Sequence, residues 1–180
     1  TLRALRVPVL SMSETVACLR GQAPMPNRAV TLTFDDGCEN FYENALPVLE
    51  EFGLPAIVYA ITELAGGPAT WLAADGHPTP PLMSFERLRE IASRGIEVGS
   101  HGARHVRLEG LPPEALRAEV AGSRERLQDE LGQRVQHFCY PYGSHDLAAV
   151  EAALAAAPRG GGEGADDPDD VARVHLVGHR

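Results

Sequence analysis

Two neighbouring carboxylates, Asp35 and Asp36, follow the segment AVTLTF and precede Gly37. Two imidazoles, His101 and His105, stand four residues apart after the segment IEVGS. One carboxylate and two imidazoles suit zinc or a similar divalent metal, with one coordination position left for water. Taken singly, Asp-Asp-Gly is most often a turn, and two histidines four residues apart are common on surface helices. Because a predicted strand precedes each motif, the combination favours a metal site.

The two aspartates need not share one role, because neighbouring residues at a strand end point to opposite sides of the chain. We assign Asp36, His101 and His105 as metal ligands and Asp35 as the catalytic base. A divalent metal lowers the pKa of a bound water to about 7, and a nearby carboxylate can take its proton during attack on a carbonyl carbon. The predicted chemistry is metal-assisted hydrolysis.

Strands and helices alternate along the chain and must position these residues. Hydrophobic runs predict strands at 29–34, 55–61, 96–101, 135–141 and 171–177. Apolar residues at helical spacing predict helices at 39–53, 85–95, 113–132 and 145–157. Ser84 and Ser144 are the predicted amino-terminal caps of two of these helices, and Gly53 is the predicted end of the first.

This alternation predicts a parallel α/β architecture, in which functional groups gather at the carboxyl ends of the strands. The segment Tyr140–Gly143 should therefore join the aspartates and histidines at one rim. Two segments interrupt the pattern. Residues 65–83 are rich in Gly and Pro and predict a long loop that forms a wall of the site, whereas residues 158–170 predict a flexible Gly- and Asp-rich segment.

Composition limits the class of protein. The 180 residues are 44% hydrophobic and 23% charged, which is typical of a globular chain, and we expect one domain over 1–180. A net charge of -9 argues against nucleic acid as a partner. No apolar run is long enough to span a bilayer, and the first residues lack the profile of a signal peptide. The three cysteines do not predict a disulfide framework.

The chain resembles the polysaccharide deacetylase (NodB-homology) family, also called carbohydrate esterase family 4. TFDDG at 33–37 matches the first family motif, SHGARH at 100–105 matches the second, and FCYPYG at 138–143 matches the third. The resemblance implies a distorted barrel of about seven parallel strands with outer helices. The atypical segment near the carboxyl terminus leaves open whether this barrel is complete.

The activity implied by the resemblance is hydrolysis of N-acetyl groups on a polysaccharide or glycan containing N-acetylglucosamine. It implies Asp35 as base, a divalent metal with Zn2+ favoured, and Asp36, His101 and His105 as its ligands. It also implies that the backbone N–H of Tyr142 helps hold the oxyanion, since a fixed donor near a cation stabilises the developing charge.

Three departures from the family pattern stand out. Gly102 replaces the usual Ser or Thr, so a hydroxyl that could brace the histidine loop is absent and its support must come from elsewhere. Cys139 occupies the place of an arginine that orients the base in many members. The strand that usually follows the last helix is missing or replaced, which leaves His175 as a weak candidate for the general acid.

Other functions stay open at this stage. The chain could be a catalytically impaired relative that binds glycan, or an amidohydrolase acting on a non-sugar amide. Trp71, the only tryptophan, could stack on a sugar ring or simply anchor the 65–83 loop. The oligomeric state and the location are open, and both cell-envelope and cytoplasmic glycan metabolism fit the sequence.

Overall fold

The computed structural model describes residues 7–157. The predicted strand 171–177, the segment 158–170 and His175 lie outside these described residues.

A three-stranded parallel sheet forms the centre of the described chain. Its strands are β1 (Thr33–Phe34), β2 (Ile57–Ala60) and β3 (Glu97–Ser100), in the order β1-β2-β3. Thr33 lies opposite Ile57, and Val58 lies opposite Val98. Every residue of β2 is buried, as its uninterrupted apolar run predicts for a strand covered on both faces. The predicted α/β architecture with a parallel sheet is confirmed.

Single parallel bridges continue the sheet on both sides. Val9 pairs with Val30 beside β1, and Ser100 pairs with Phe138 beside β3. The predicted strand 135–141 is therefore wrong in length, since only this one bridge forms. Pro141 has no N–H to donate to a ladder, and it begins a tight turn. The bridge still carries the third motif to the carboxyl end of β3.

The helices are α1 (Met12–Leu19), α2 (Leu46–Phe52), α3 (Phe85–Ser93), α4 (Pro113–Arg117), α5 (Ser123–Leu131) and α6 (Leu147–Ala156). A π-helical turn, Phe41–Ala45, leads into α2, and another, Ala118–Gly122, joins α4 to α5. Two 3-10 turns, Thr70–Asp75 and Pro141–Gly143, lie in loops. All four predicted helices are present.

The helix ends test the predicted caps. The Ser84 hydroxyl accepts a hydrogen bond from the N–H of Arg87, and Gly53 ends α2 in a left-handed conformation, as predicted. The prediction of Ser144 as the cap of α6 is wrong. The Asp146 carboxylate accepts from Ala149 N–H instead, because Asp146 is the extended residue immediately before the first turn.

The main hydrophobic core lies between the sheet and helices α2, α3 and α5. Its largest fully buried members include Leu46 of α2, Val58 of β2, Leu88 and Ile91 of α3, and Leu127 of α5. This core fixes the strands, and their carboxyl ends therefore have a defined position. Between residues 7 and 157, no helix has the length and apolar character that crossing a membrane requires.

Candidate functional site

Asp36, His101 and His105 converge at the carboxyl ends of β1 and β3. Asp36 Oδ1 lies 3.3 Å from His105 Nε2 and 3.6 Å from His101 Nε2. One ligand atom from each of the three residues lies within 4.8 Å of the other two. Both imidazoles are buried, whereas the Asp36 side chain is 30% exposed. The structure thus brings together the three residues predicted as ligands and leaves one side open to solvent.

The His101 ring is oriented by a hydrogen bond to the neighbouring chain segment. Its Nδ1 lies 2.8 Å from the carbonyl oxygen of Cys139. A carbonyl only accepts, so Nδ1 carries a proton, and Nε2 is the ring nitrogen that faces Asp36. Backbone bonds link the same segments, since Ser100 N–H donates to His137 O and Cys139 N–H donates to Ser100 O, each at 2.9 Å. Strand pairing therefore sets the direction of this ring.

The His105 ring is held differently. Its Nδ1 is buried and has no hydrogen-bond partner among the described residues. Its ring centroid lies 4.5 Å from that of Trp71 and 4.5 Å from that of Tyr142. Burial, and then the charge of nearby His101, lowers the pKa of His105 to about 3, which outweighs the attraction of the Asp36 carboxylate. His105 is therefore neutral at physiological pH, as a metal ligand must be.

Backbone strain collects at this site. Within residues 7–157, the non-glycine residues with positive φ are Asp36 (φ 69°), His105 (φ 58°) and Tyr142 (φ 58°). A side chain in this left-handed region costs of order 1–3 kcal/mol and persists only where the surroundings enforce it. All three residues belong to the three motifs. Such clustered outliers are typical of functional sites.

The ligand set fits a divalent cation. In a tetrahedral site with zinc bonds of about 2.1 Å, two ligand atoms are about 3.4 Å apart. The separations of Asp36 Oδ1 from the two imidazole nitrogens, 3.3 and 3.6 Å, bracket that value. A carboxylate with two imidazoles is also a donor set that zinc prefers. These residues therefore form a possible metal-binding group.

Asp35 also lies close to His101. Asp35, His101 and Cys139 form a second group whose ligand atoms lie within 4.8 Å of one another. The Cys139 Sγ is 3.9 Å from Asp35 Oδ1, and burial, followed by the charges of Asp35 and Asp36, raises the pKa of the thiol to about 12. A neutral thiol therefore stands beside the predicted base, where many family members carry an arginine.

Two aromatic side chains flank His105, and an arginine lies over one of them. The Tyr142 side chain is 51% exposed, and the Arg107 guanidinium lies 4.7 Å from its ring centroid. Trp71 comes from the 3-10 turn of the 65–83 loop, so this loop does form a wall of the site, as predicted. Sequence reasoning missed Arg107, which has no motif around it.

Sequence reasoning also missed Glu119, which is fully buried beneath the histidine loop. The apolar stripe of the predicted helix 113–132 runs through Leu116, Val120, Leu127 and Leu131. Position 119 lies three residues after Leu116 and falls on the same face, so the spacing carried a signal for burial. A buried glutamate in such a stripe needs a partner, which points to a specific task.

Comparison with known proteins supports these motifs. The sequence profile of the polysaccharide deacetylase family matches residues 22–159. The Bacillus subtilis protein YxkH is 30% identical over 144 residues, which cover 80% of this chain and 47% of that protein. The poly-beta-1,6-N-acetyl-D-glucosamine N-deacetylase of Escherichia coli K12 is 32% identical over 96 residues, 51% of this chain and 14% of the enzyme.

The fold has a solved counterpart as well. The structure of IcaB from Ammonifex degensii matches with a TM-score of 0.74 and 25% identity, over 87% of this chain and 68% of that one. The chain spans about half the length of YxkH and a smaller part of the Escherichia coli enzyme. Because the profile covers most of the 180 residues and includes all three motifs, the chain belongs to the polysaccharide deacetylase family.

Proposed function

We propose that this chain is a metal-dependent hydrolase that removes N-acetyl groups from a glycan containing N-acetylglucosamine. The observation that carries the proposal is the convergence of Asp36, His101 and His105 at separations that fit a tetrahedral cation site. Family membership supports the reaction type. The Escherichia coli relative, a poly-beta-1,6-N-acetyl-D-glucosamine N-deacetylase, supports the choice of sugar.

The proposed architecture is a single domain over 1–180, folded as a distorted barrel of about seven parallel strands. The parallel bridges at Val30 and Phe138 support this, because they extend the parallel order beyond both edges of the three-stranded sheet. The candidate acid His175 lies outside the described residues, so its role is a prediction from the sequence alone.

Each residue of the site then has a defined task. Asp36, His101 and His105 would hold the metal, with Zn2+ favoured. When bound there, the metal supplies Lewis acidity that polarises the acetyl carbonyl and acidifies water. Asp35, which also lies close to His101, takes the proton of the attacking water. The backbone N–H of Tyr142 donates to the oxyanion, since the turn Pro141–Gly143 places this residue against His105.

The surroundings of the site suit a sugar. The rings of Trp71 and Tyr142 flank His105, and the Tyr142 ring is half exposed. Aromatic faces pack against the apolar faces of sugar rings and orient them without fixing the exact linkage. A guanidinium can donate two parallel hydrogen bonds to a carboxylate, whereas the neutral Cys139 thiol has a single hydrogen to donate to Asp35. The base is therefore held mainly by its backbone at the end of β1.

Acetate release from acetylated chito-oligosaccharides tests the proposal. Removing metal with a chelator should abolish release, and adding Zn2+ should restore it. Asp35→Asn should keep one bound metal per chain and lower turnover by about 10²–10⁴-fold, the usual contribution of a general base. Asp129→Asn, an exposed change on α5, is the matched control. Full activity of the metal-free protein, or of Asp35→Asn, would contradict the proposal.

The neutral thiol at position 139 favours one competing function, that of a glycan-binding relative that does not catalyse. This alternative predicts normal binding of the oligosaccharides with no acetate release at saturating metal. A parallel assay with small non-sugar amides tests the other alternative, an amidohydrolase with a different substrate.

A further inference from the structure

The loop between the two histidines, residues 102–104, is held on one side by the chain that follows β2. The carbonyl oxygen of Gly102 accepts a hydrogen bond from Thr62 N–H at 3.2 Å, and that of Ala103 accepts from Glu63 N–H at 2.9 Å. These bonds use the acceptors of the loop. The Gly102 N–H donates to Ser100 Oγ at 3.3 Å. The N–H groups of Ala103 and Arg104 need another partner, because backbone groups are costly when buried and unpaired.

That partner is the carboxylate of Glu119. Its Oε2 accepts from Ala103 N–H at 2.9 Å and from Arg104 N–H at 3.1 Å, and its Oε1 accepts from the Arg104 guanidinium at 2.7 Å. Glu119 is fully buried and lies in the π-helical turn Ala118–Gly122. Such turns are frequent at functional sites. A charge without access to water requires partners of this kind, and the histidine loop supplies them.

Gly102 shows how closely the carboxylate fits beneath the loop. Its φ is 84°, and a Cβ added there would lie 3.2 Å from Glu119 Oε2 and 3.5 Å from Pro141 Cγ. The carboxylate therefore lies in tight contact with the position at which a Ser or Thr side chain would begin. The support that a hydroxyl at position 102 could give comes instead from Glu119, in the π-helical turn between α4 and α5.

His105 depends on this loop more than His101 does. Its backbone has a positive φ, and its Nδ1 has no hydrogen-bond partner among residues 7–157. The ring packs between Trp71 and Tyr142 and its Nε2 faces Asp36, so the backbone that precedes His105 decides whether the ring reaches these contacts. That backbone is the pair of residues whose N–H groups Glu119 holds.

We infer that Glu119 is a positioning residue that maintains metal affinity by fixing the loop before His105. It touches neither substrate nor metal, and it acts through the backbone of Ala103 and Arg104. The inference rests on the proposed metal centre.

Zinc affinity of Glu119 variants, measured by competition with a chromophoric chelator, tests this inference. Glu119→Ala should weaken zinc binding by about 10–100-fold, as removal of an outer-shell partner does. Glu119→Gln should weaken it less, since its carbonyl can still accept from the backbone while its amide group opposes Arg104. Leu127→Ala is the matched control: it truncates a fully buried core residue of α5 and should lower the melting temperature without changing zinc affinity.

Hydrogen exchange in the metal-free proteins gives a second readout. The amides of Ala103 and Arg104 should exchange slowly in the wild type and in Leu127→Ala, quickly in Glu119→Ala, and at an intermediate rate in Glu119→Gln, whose carbonyl can still accept from them. If Glu119→Ala does not fold, Glu119→Gln carries both measurements.

The outcomes separate the two claims. Zinc affinity of the Glu119 variants within about twofold of the wild type, with only a lower melting temperature, overturns the positioning role. A wild-type protein that binds no zinc overturns the metal centre itself, and the positioning role with it. Weaker zinc binding together with faster exchange at residues 103 and 104 supports the inference.

Discussion

The two imidazoles of the site are held by different parts of the molecule. His101 directly follows the paired strand β3, and a hydrogen bond from its Nδ1 to the Cys139 carbonyl fixes its ring. His105 lies in a loop with left-handed backbone, between the rings of Trp71 and Tyr142. The two ring centroids are 5.0 Å apart. Two identical side chains are thus held at one site by different interactions.

The difference shows how a fold divides the work of building a site. Strand pairing orients His101 as part of the sheet itself, and the core beneath the sheet protects that orientation. The His105 half depends on a strained backbone, ring packing and a buried carboxylate, each of which can be changed without breaking the sheet. We therefore expect the strand-borne half to be robust and the loop-borne half to be the adjustable one.

Asp36 contacts both His101 and His105, so its loss should have the largest effect. Asp36→Asn keeps a residue type that tolerates the left-handed backbone but removes the charge. We expect acetate release to fall by at least about 10³-fold, because a metal supplies several kcal/mol of transition-state stabilisation. Elemental analysis should show metal lost from this variant and retained in Asp129→Asn. Full metal content in Asp36→Asn would contradict the view that Asp36 and the two histidines bind one cation.

The pH dependence of stability should report His105 in the metal-free protein. Its pKa is near 3 when folded and near 6.5 when unfolded, so the unfolded state binds more protons between these values. The free energy of unfolding should therefore fall as pH drops below about 6.5, by at most about 1.4 kcal/mol per pH unit from this group. His105→Asn should lose less stability between pH 7 and pH 5, measured by chemical denaturation.

The exposed His77→Gln is the control for that measurement, and it should keep the wild-type slope. Equal slopes in wild type and His105→Asn would mean that burial of the loop-borne imidazole does not limit acid stability.

Two glycines with similar backbone separate strain from contact. Gly102 has φ 84° and a crowded Cβ position, whereas Gly95 has φ 87° and nothing within 4 Å of the same position. Ala at either site should cost about 1–2 kcal/mol from the left-handed backbone, or a few °C in melting temperature. Gly102→Ala should also weaken zinc binding by about tenfold, because it displaces the loop before His105. An equal effect of Gly95→Ala on zinc binding would contradict this view.

Trp71 should give the smallest effect. Trp71→Leu removes the ring against His105, and an aromatic pair of this kind is worth about 0.5–1.5 kcal/mol, so zinc affinity should fall by about 2–10-fold. Trp71→Phe keeps a ring and should lose less. The His101 imidazole N–H signal in NMR spectra should persist in both variants, since its bond to Cys139 is untouched. Loss of that signal would show that the two halves are not independent.

The chemistry of the site could be predicted from the sequence to a large extent. Polar residues at the ends of apolar runs indicate the carboxyl edge of a parallel sheet, and this rule alone brings Asp36, His101 and His105 together. The helix α1 was not predicted, although its signal is present. The Ser11 hydroxyl accepts from Glu14 N–H while the Glu14 carboxylate accepts from Ser11 N–H, a capping box that the sequence pattern S-x-x-E indicates.

Other features could not be predicted, for a physical reason. Whether Ser144 or Asp146 caps α6 depends on which residue has the extended backbone before the first turn, and both types cap well. The support of the histidine loop by Glu119 joins groups 15 and 16 residues apart through hydrogen bonds. Such bonds depend on distances of tenths of an ångström, and residue spacing does not specify these.

By itself, the sequence determined the donor types of this protein, the edge of the sheet on which they stand and the family to which the three motifs belong. Only the tertiary structure decided how each donor is oriented. A carbonyl 38 residues away fixes the proton of His101, and a buried carboxylate on another helix holds the loop before His105. The reason is that local pattern selects strands and helices, whereas the direction of a side chain depends on remote groups that meet only when the core has packed.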